Sequence, residues 1–376
     1  MRTAVQRRGA LALCVVLLFC LLAGCTGHSG EKNWSKLTPQ STTELKYAKQ
    51  FTIEDYGNGL QLITIAQDRQ YLLVPEGAQA PAGVPEEVTV LQQPIQNIYL
   101  TATAAMDLFR ALDGLDAIRL SGTKESGWYL PEAMEAGDIL YAGKYSAPDY
   151  ELILAQQCGL AVESTMIYHN PEVKEQLESL GIPVLVDYSS YESDPLGRME
   201  WIKLYGALLG KEEEAARIFD EEVAAVQPVL NQTNTGKTVA FFYITNTGTV
   251  NVRKSGDYIA QLIRMAGGVY VPENQSDGEE NALSTMNIDM ESFYAAAHDA
   301  DVLIYNSTID GELASLDELL KKSELLADFK AVQNGEVWCT GKNMFQSSMS
   351  LGRMILEINA VLTQQAPGGL TYLYRL

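Results

Sequence analysis

After Val88, short apolar runs alternate along the chain with segments in which apolar residues recur every three or four positions. The runs predict buried strands, and the periodic segments predict amphipathic helices. The predicted strands are VTVLQ, AIRLSG, ILYAG, GLAVES and IPVLVDY, and the helical segments between them include AAMDLFRALDG and PEVKEQLESLG. Strands that alternate with helices in this way are typical of a parallel α/β layer.

A second series of the same kind begins at Thr238. Its predicted strands are TVAFFYIT, TVNVR, ADVLIYNS and GEVWCTG, again with helical segments between them. Two similar series in one chain predict an α/β protein with two Rossmann-like lobes, one over residues 46–210 and the other over residues 231–376.

The segment between the two series carries strong helix signals. Asp194 and Pro195 suit the N-cap and the first position of a helix, which then runs through LGRMEWIKLYGALLG and stops near Gly210. Residues 211–230 begin with acidic side chains and keep apolar residues at helical spacing. A helix of about 19 residues is ~28 Å long, close to the diameter of a small lobe. We therefore expect a single stiff helix to join the lobes.

Three segments precede the first series. Residues 1–24 combine three arginines, an apolar run of roughly 14 residues and small residues at the end, which is the pattern of a signal peptide. The apolar run is too short for a membrane-spanning helix, which needs about 20 apolar residues. Residues 25–45 are polar and predict a flexible stalk. Residues 51–77 hold three β-like runs separated by turn residues, which predicts a small antiparallel N-terminal extension.

The chain is strongly acidic. It has 48 Asp and Glu residues against 27 Lys and Arg, a formal net charge of −21. Loss of the three arginines in residues 1–24, which contain no acid, changes this charge to −24 (−21 − 3). Such a domain is a poor partner for nucleic acid or for an anionic membrane surface, so the folded chain is expected to bind neither.

Several kinds of catalytic and metal site are absent from the sequence. It has no G-x-S-x-G and no H-E-x-x-H motif, and the P-loop-like run that ends at Thr238 precedes a predicted strand instead of following one. Of the three histidines, His28 lies in the predicted stalk, and the remaining two are too few for a multi-histidine metal site, so no metal site is expected. Cys158 and Cys339 lie within or beside apolar segments and are expected to be buried free thiols.

Four stretches carry a family resemblance. The ending Leu22-Ala23-Gly24-Cys25 resembles the lipobox of bacterial lipoproteins, in which the cysteine is lipidated. The stretches GKYSAPDYELIL, SDPLGRMEWIKLYGALLGKEEEA and SGDYIAQLIRMAGG follow in an order that resembles the substrate-binding lipoproteins of bacterial ABC importers. Over roughly residues 88–362 the chain is similar to the helical-backbone group of these proteins, which captures ferric siderophores, haem or cobalamin.

This resemblance implies a function and a set of partners. The protein would be a receptor and not an enzyme, and it would hold a metal chelate in a cleft between the lobes before delivering it to an ABC permease. It would be a monomer, lipidated at Cys25 and held on the extracytoplasmic face of the cell membrane. No cofactor is expected, and any iron or cobalt would belong to the ligand. A lipid-anchored surface hydrolase that uses two carboxylates remains the alternative.

In such receptors a glutamate on each lobe contacts arginines of the permease. Glu151 matches the first of these positions, in the G-x-x-x-x-P-x-x-E pattern that begins at Gly143, and Glu291 matches the second, in the helix before ADVLIY. Two exposed carboxylates on separate rigid lobes would set the orientation and rate of docking. The alternative is that both glutamates only stabilise the N-termini of their helices.

The ligand is expected beyond the carboxyl ends of the strands, where parallel α/β sheets bind small molecules. The loops at those ends hold aromatic and basic side chains. Aromatic rings offer flat contact area to a macrocycle or a catecholate, and basic groups neutralise an anionic chelate. The predicted ligand-binding residues are Trp128, Lys144, Tyr145, Tyr168, His169, Tyr191, Arg253, Tyr258 and Phe345.

Overall fold

A computed structural model describes residues 33–124, 132–135, 137–273, 285–341, 344–366 and 369–376. The predicted signal peptide, Cys25 and Trp128 lie outside these residues. The described chain forms two compact units. The smaller holds residues 33–38 and 79–86, in which the backbone N–H of Trp34 donates to the carbonyl of Ala82 at 2.8 Å. The larger contains all the strands and α-helices named below.

A five-stranded sheet, the extension sheet, opens the larger unit. Its strands, in chain order and in spatial order, are β1 (Ser41–Thr42), β2 (Phe51–Asp55), β3 (Gln61–Ile65), β4 (Arg69–Val74) and β5 (Val88–Gln92). The first four pair antiparallel, as the β-like runs predict, whereas β5 lies parallel to β4. The assignment of VTVLQ to the first α/β series was therefore wrong, and β1 lies in the segment predicted to be a flexible stalk.

The first lobe is built on a five-stranded parallel sheet. The strands of the lobe are β6 (Ile98–Leu100), β7 (Ile118–Ser121), β8 (Leu140–Tyr141), β9 (Gly143–Lys144), β10 (Ala147–Pro148), β11 (Ala161–Ser164) and β12 (Val184–Asp187). Its helices are α1 (Met106–Ala111), α2 (Glu132–Glu135), α3 (Tyr150–Ala155) and α4 (Pro171–Ser179). Strands β9 and β10 form a separate hairpin, and the other five lie in the order β12-β11-β6-β7-β8.

Three consecutive helices join the lobes: α5 (Pro195–Glu200), α6 (Ile202–Leu209) and α7 (Glu212–Leu230). Asp194 caps α5 by accepting the backbone N–H of Leu196, and Gly210 ends α6 in the left-handed conformation at φ 66°. The predicted single helix before Gly210 is interrupted at the buried Trp201. The long helix expected over residues 211–230 is α7, and its buried face includes Phe219.

The second lobe is built on a seven-stranded sheet. Its strands are β13 (Thr238–Ile244), β14 (Val250–Arg253), β15 (Val269–Val271), β16 (Thr285–Ile288), β17 (Val302–Tyr305), β18 (Val337–Thr340) and β19 (Leu373–Arg375). Its helices are α8 (Tyr258–Met265), α9 (Met290–Ala297), α10 (Leu316–Lys322), α11 (Lys330–Gln333) and α12 (Leu351–Leu362). The strands lie in the order β16-β14-β13-β17-β18-β19, with β15 also beside β13.

Four strands of this second sheet are parallel, as the alternating pattern predicts: β15, β13, β17 and β18. Strand β14 is antiparallel to β13, because only a tight turn closed by the hydrogen bond from Thr245 N–H to Thr249 O (2.8 Å) separates them, and a parallel crossover needs a longer connection. The protein is thus an α/β protein with two Rossmann-like lobes, which are joined by three consecutive helices ending in the long α7 and are preceded by the extension sheet.

Close contacts fix the two lobes against each other. The Met349 backbone N–H of the second lobe donates to Asp107 Oδ2 of the first at 2.8 Å, and Ser348 Oγ donates to the carbonyl of Ala104 at 2.6 Å. Helix α12 also packs on α7, where a Cβ added at Gly352 would lie 3.1 Å from Val226 Cγ1. These contacts join the two lobes directly, in addition to the helices between them.

Two further observations concern the cysteines and the helices of the described residues. Cys158 and Cys339 are free thiols, the first half-buried and the second buried, and burial raises the pKa of the Cys158 thiol to about 11. Over the part of the chain that the structure describes, none of the helices combines the length and the apolar character that crossing a membrane requires.

Candidate ligand-binding cleft

Three tyrosines gather beyond the carboxyl ends of β11 and β12. Tyr168 lies in the 3₁₀ helix that follows β11, and Tyr188 and Tyr191 lie just after β12. The ring centroids of Tyr168 and Tyr188 are 6.3 Å apart, and those of Tyr188 and Tyr191 are 5.2 Å apart. Burial and the hydrogen bond with Tyr188 raise the pKa of Tyr168. We call these three residues the tyrosine cluster.

An arginine of the extension sheet covers the tyrosine cluster. The guanidinium carbon of Arg69, at the start of β4, lies 5.1 Å from the ring centroid of Tyr168 and 5.0 Å from that of Tyr188. The neighbouring Tyr71 anchors β4 to the first lobe, because its hydroxyl donates to the Val184 carbonyl at 3.1 Å. Arg69 was not predicted as a site residue, since nothing local in the sequence relates it to strands that begin about 90 residues later in the chain.

A second group, the arginine–aromatic cluster, consists of Arg253, Tyr258 and Phe345 on the second lobe. The Arg253 guanidinium carbon lies 4.8 Å from the ring centroid of Phe345, and the Tyr258 and Phe345 centroids are 6.5 Å apart. The hydroxyl of Tyr270 accepts from the backbone N–H of Arg253 (2.9 Å) and donates to its carbonyl (2.7 Å). This pair of hydrogen bonds fixes the backbone that presents the Arg253 side chain.

A buried aspartate accompanies Arg253. Asp257 Oδ1 accepts the backbone N–H of Ile259 at 2.8 Å and so caps α8, while Oδ2 lies 3.5 Å from Arg253 Nη1 and has no hydrogen bond among the described residues. Burial raises the pKa of Asp257, and the nearby Arg253 opposes this effect. The Asp257 carboxylate thus offsets part of the charge of Arg253.

Arg198 of helix α5 connects the two clusters. Its Nε and Nη2 donate to the carbonyls of Glu192 and Ser190, on either side of Tyr191, and its guanidinium carbon lies 3.5 Å from the ring centroid of Tyr258. Burial lowers the pKa of Arg198, and its interactions with Tyr258 and nearby acids counteract that shift. Arg198 lies in a stretch that carried the family resemblance, but no local pattern predicted its role between the lobes.

The other predicted ligand residues do not join these clusters. Lys144 is exposed and Tyr145 half-buried in the β9–β10 hairpin, whose first residue, Gly143, has φ +83° and would place a Cβ 2.3 Å from the Ala147 carbonyl oxygen. His169 is exposed at the end of its 3₁₀ helix. Among the described residues, no hydrogen bond, ion pair or ring contact joins these three side chains to either cluster.

The two glutamates predicted to dock occupy equivalent positions. Each is the second residue of its helix, Glu151 in α3 and Glu291 in α9, and both are exposed. An aspartate caps each helix: Asp149 accepts from the Leu152 N–H at 3.0 Å and Asp289 from the Ser292 N–H at 2.7 Å. Pro148, the proline of the G-x-x-x-x-P-x-x-E pattern, belongs to β10 and precedes the start of α3 by two residues.

Comparisons with known proteins point to one family. The sequence model described as periplasmic binding protein matches residues 100–344. An uncharacterized lipoprotein of Methanocaldococcus jannaschii is 24% identical, with 95% of this chain and 93% of that protein aligned. The periplasmic haem-binding protein HutB of Vibrio cholerae is 18% identical with a TM-score of 0.57, covering 72% of this chain and 99% of that one. The periplasmic vitamin B12-binding protein BtuF of the same organism is 17% identical with a TM-score of 0.53, covering 72% and 98%.

Proposed function

Because the chain belongs to the periplasmic binding protein family, we propose that it is the extracytoplasmic receptor of an ABC importer. Its ligand in this proposal is a metal chelate: an iron siderophore, haem or cobalamin. Solved structures of similar fold include proteins named for haem and for vitamin B12 binding. Relatives named lipoproteins support a lipid anchor, which we place at Cys25.

The observation that carries this proposal is the pair of clusters on the two lobes. An acidic chain with 48 Asp and Glu residues places Arg253 on the second lobe and three tyrosine rings on the first, with Arg198 between them. Aromatic faces give contact area to a flat or catecholate-bearing ligand. The guanidinium of Arg253, which lies 3.5 Å from the buried Asp257 carboxylate, would neutralise an anionic group of that ligand.

The proposed mechanism is capture followed by delivery. The ligand binds between the clusters, and the inter-lobe contacts limit the response of the protein to a small adjustment. The exposed carboxylates of Glu151 and Glu291, one on each lobe, then orient the loaded receptor on the permease. ATP hydrolysis in other subunits drives the transfer, so this chain needs no catalytic group.

The test begins with the protein as it is purified. We expect native mass spectrometry to find a retained chelate, and we expect absorbance titration to show binding of haemin, cyanocobalamin or a ferric tris-catecholate. Failure to retain or bind any of these would contradict the proposal. Turnover of ester, phosphoester or glycoside substrates would favour the surface hydrolase.

An arginine pair provides the matched variants. Arg253→Gln should weaken binding of the chelate by about tenfold or more, because it removes a charge-assisted contact. Arg375→Gln is the control, since Arg375 also lies over an aromatic ring (4.8 Å from Trp338) but is on the outer strand β19 and pairs with Glu336. Equal losses in both variants would exclude a specific role for Arg253.

A further inference from the structure

Arg69 lies on a part of the chain that the family model does not include. The model matches residues 100–344, whereas Arg69 begins strand β4 of the extension sheet. The extension is nevertheless fixed to the first lobe, since the Tyr71 hydroxyl bonds to β12 and Tyr71 is only 3% exposed. A side chain of the extension therefore reaches the carboxyl ends of the first-lobe strands in a defined position.

The guanidinium of Arg69 has hydrogen-bond donors to spare. Nη1 donates to Asp68 Oδ1 at 3.0 Å, while Nε and Nη2 have no acceptor among the described residues. A structural arginine of the same lobe differs: Arg119 donates to the Gln156 side chain through Nε and to the carbonyls of Gly137 and Asp138 through Nη1. Two ring faces and one exposed carboxylate thus hold Arg69, and the N–H groups of Nε and Nη2 remain available as hydrogen-bond donors to a ligand.

The surroundings of Arg69 are open to a ligand. The Arg69 side chain is 31% exposed and Tyr168 is 39% exposed, and Met166, in the same 3₁₀ helix as Tyr168, is 46% exposed. Tyr168 and Met166 are two of the seven large apolar side chains that are exposed in the described part of the chain. Two ring faces hold the guanidinium in place, which lowers the entropy lost when it binds an oxyanion.

We propose that Arg69 is a specificity-determining residue that binds a carboxylate of the captured chelate at the first-lobe side of the cleft. The inference rests on the proposed function and adds to it the chemical class of the ligand. The planar guanidinium matches a carboxylate in a bidentate geometry, which a lysine cannot reproduce. The extension sheet thereby adds a recognition element to the part of the fold that the family model covers.

The test compares two ligands that differ only in their carboxylates: haemin and haemin dimethyl ester. Absorbance titrations of the purified full chain give the dissociation constants of the parent protein, Arg69→Gln, Arg69→Lys and the control Arg375→Gln. We expect Arg69→Gln to weaken haemin binding by about tenfold and ester binding by less than about twofold. The dissociation constant of Arg69→Lys for haemin should lie between those of the parent protein and Arg69→Gln, and that of the control should equal the value of the parent protein.

The remaining outcomes separate this inference from the proposed function. Equal weakening of haemin and its ester by Arg69→Gln would show that Arg69 only positions the tyrosine cluster, and no weakening would show that it is not in the site. Preference of the parent protein for cyanocobalamin or the ferric tris-catecholate over haemin would overturn the inference and leave the proposed function intact. Binding of none of these chelates would contradict the proposed function itself.

Discussion

Glu163 is a buried carboxyl group whose protonation is linked to folding. It lies on β11 with 0% exposure, and its Oε2 accepts a hydrogen bond from Thr101 Oγ1 while Oε1 has no partner among the described residues. Burial raises the pKa of Glu163 to about 7, and the Thr101 hydrogen bond opposes the shift. Between its ordinary pKa of 4.5 and about 7, the folded state therefore holds a proton that the unfolded state releases.

Stability should accordingly fall as the pH rises from about 5 to about 8. The shift from 4.5 to about 7 corresponds to roughly 3 kcal/mol at pH 8. We expect Glu163→Gln to raise the free energy of unfolding at pH 8 and to have little effect at pH 5, as measured by urea denaturation. Glu175→Gln, an exposed change on α4, is the control. If Glu163→Gln raised the free energy of unfolding equally at both pH values, protonation of Glu163 would not be linked to folding.

Some individual residues of the site could be predicted from the sequence, and others could not. The rule that ligands bind at strand ends nominated Tyr168, Tyr191 and Arg253, and the structure brings each of them into a cluster. Arg69 and Arg198 were missed, because their partners are distant in sequence and come together only through packing. Position after a strand can be recognised locally, whereas contact between distant elements cannot.

At the scale of elements, a buried glutamate attaches the segment before β2 to helix α5. Glu200 has 0% exposure, and its Oε1 accepts from the Lys46 N–H (2.9 Å) and Lys203 Nζ (2.8 Å). Its Oε2 accepts the backbone N–H groups of Tyr47 (2.7 Å) and Ala48 (2.9 Å). Four donors around one carboxylate make it a major attachment point of the extension sheet.

Removing this carboxylate should loosen the extension. We expect Glu200→Ala to lower the free energy of unfolding by about 3–5 kcal/mol, because it leaves Lys203 buried without its counter-ion. Arg217→Gln is the control: its pair with Glu221 is 57% and 65% exposed, and its loss should cost less than about 1 kcal/mol. Urea denaturation gives both values, and limited proteolysis of Glu200→Ala should cut first near residues 39–50. Similar losses of unfolding free energy in the two variants would show that Glu200 does not attach the extension to helix α5.

The errors at the element scale have a common cause. VTVLQ has the composition of a buried strand whether it pairs with β4 or with the first-lobe sheet, so its apolar pattern could not identify its neighbour. Strand β6, at the centre of the first-lobe sheet, has only three residues and gives no periodic signal. Helices α3 and α9 were recognised, because their caps and acidic first turns are local features.

At the scale of the whole molecule, the proposed docking depends on two rigid lobes. Helix α7 and the close packing of α12 at Gly352 hold the lobes in a fixed relation. The distance between the Glu151 and Glu291 carboxylates would therefore be constant, and the permease could recognise both at once. Such a two-point contact would contribute to the orientation and rate of association more than to affinity.

Charge reversal at both positions should separate docking from ligand binding. We expect the double variant Glu151→Lys with Glu291→Lys to reduce cellular uptake of the co-purifying chelate by about tenfold or more, because two favourable contacts with permease arginines become repulsive. The dissociation constant of the purified receptor should stay unchanged, since neither glutamate touches the tyrosine cluster or the arginine–aromatic cluster.

The alternative, that these glutamates serve only their helices, has a matched control on the same chain. Glu172 in α4 and Asp317 in α10 are also exposed acids at the second position of a helix, one on each lobe. Their double reversal to lysine imposes the same unfavourable charge on two helix N-termini. If that variant lost uptake to the same extent, the effect would be one of helix stability; if it retains uptake, the loss belongs to the positions of Glu151 and Glu291 and hence to the surface that meets the permease.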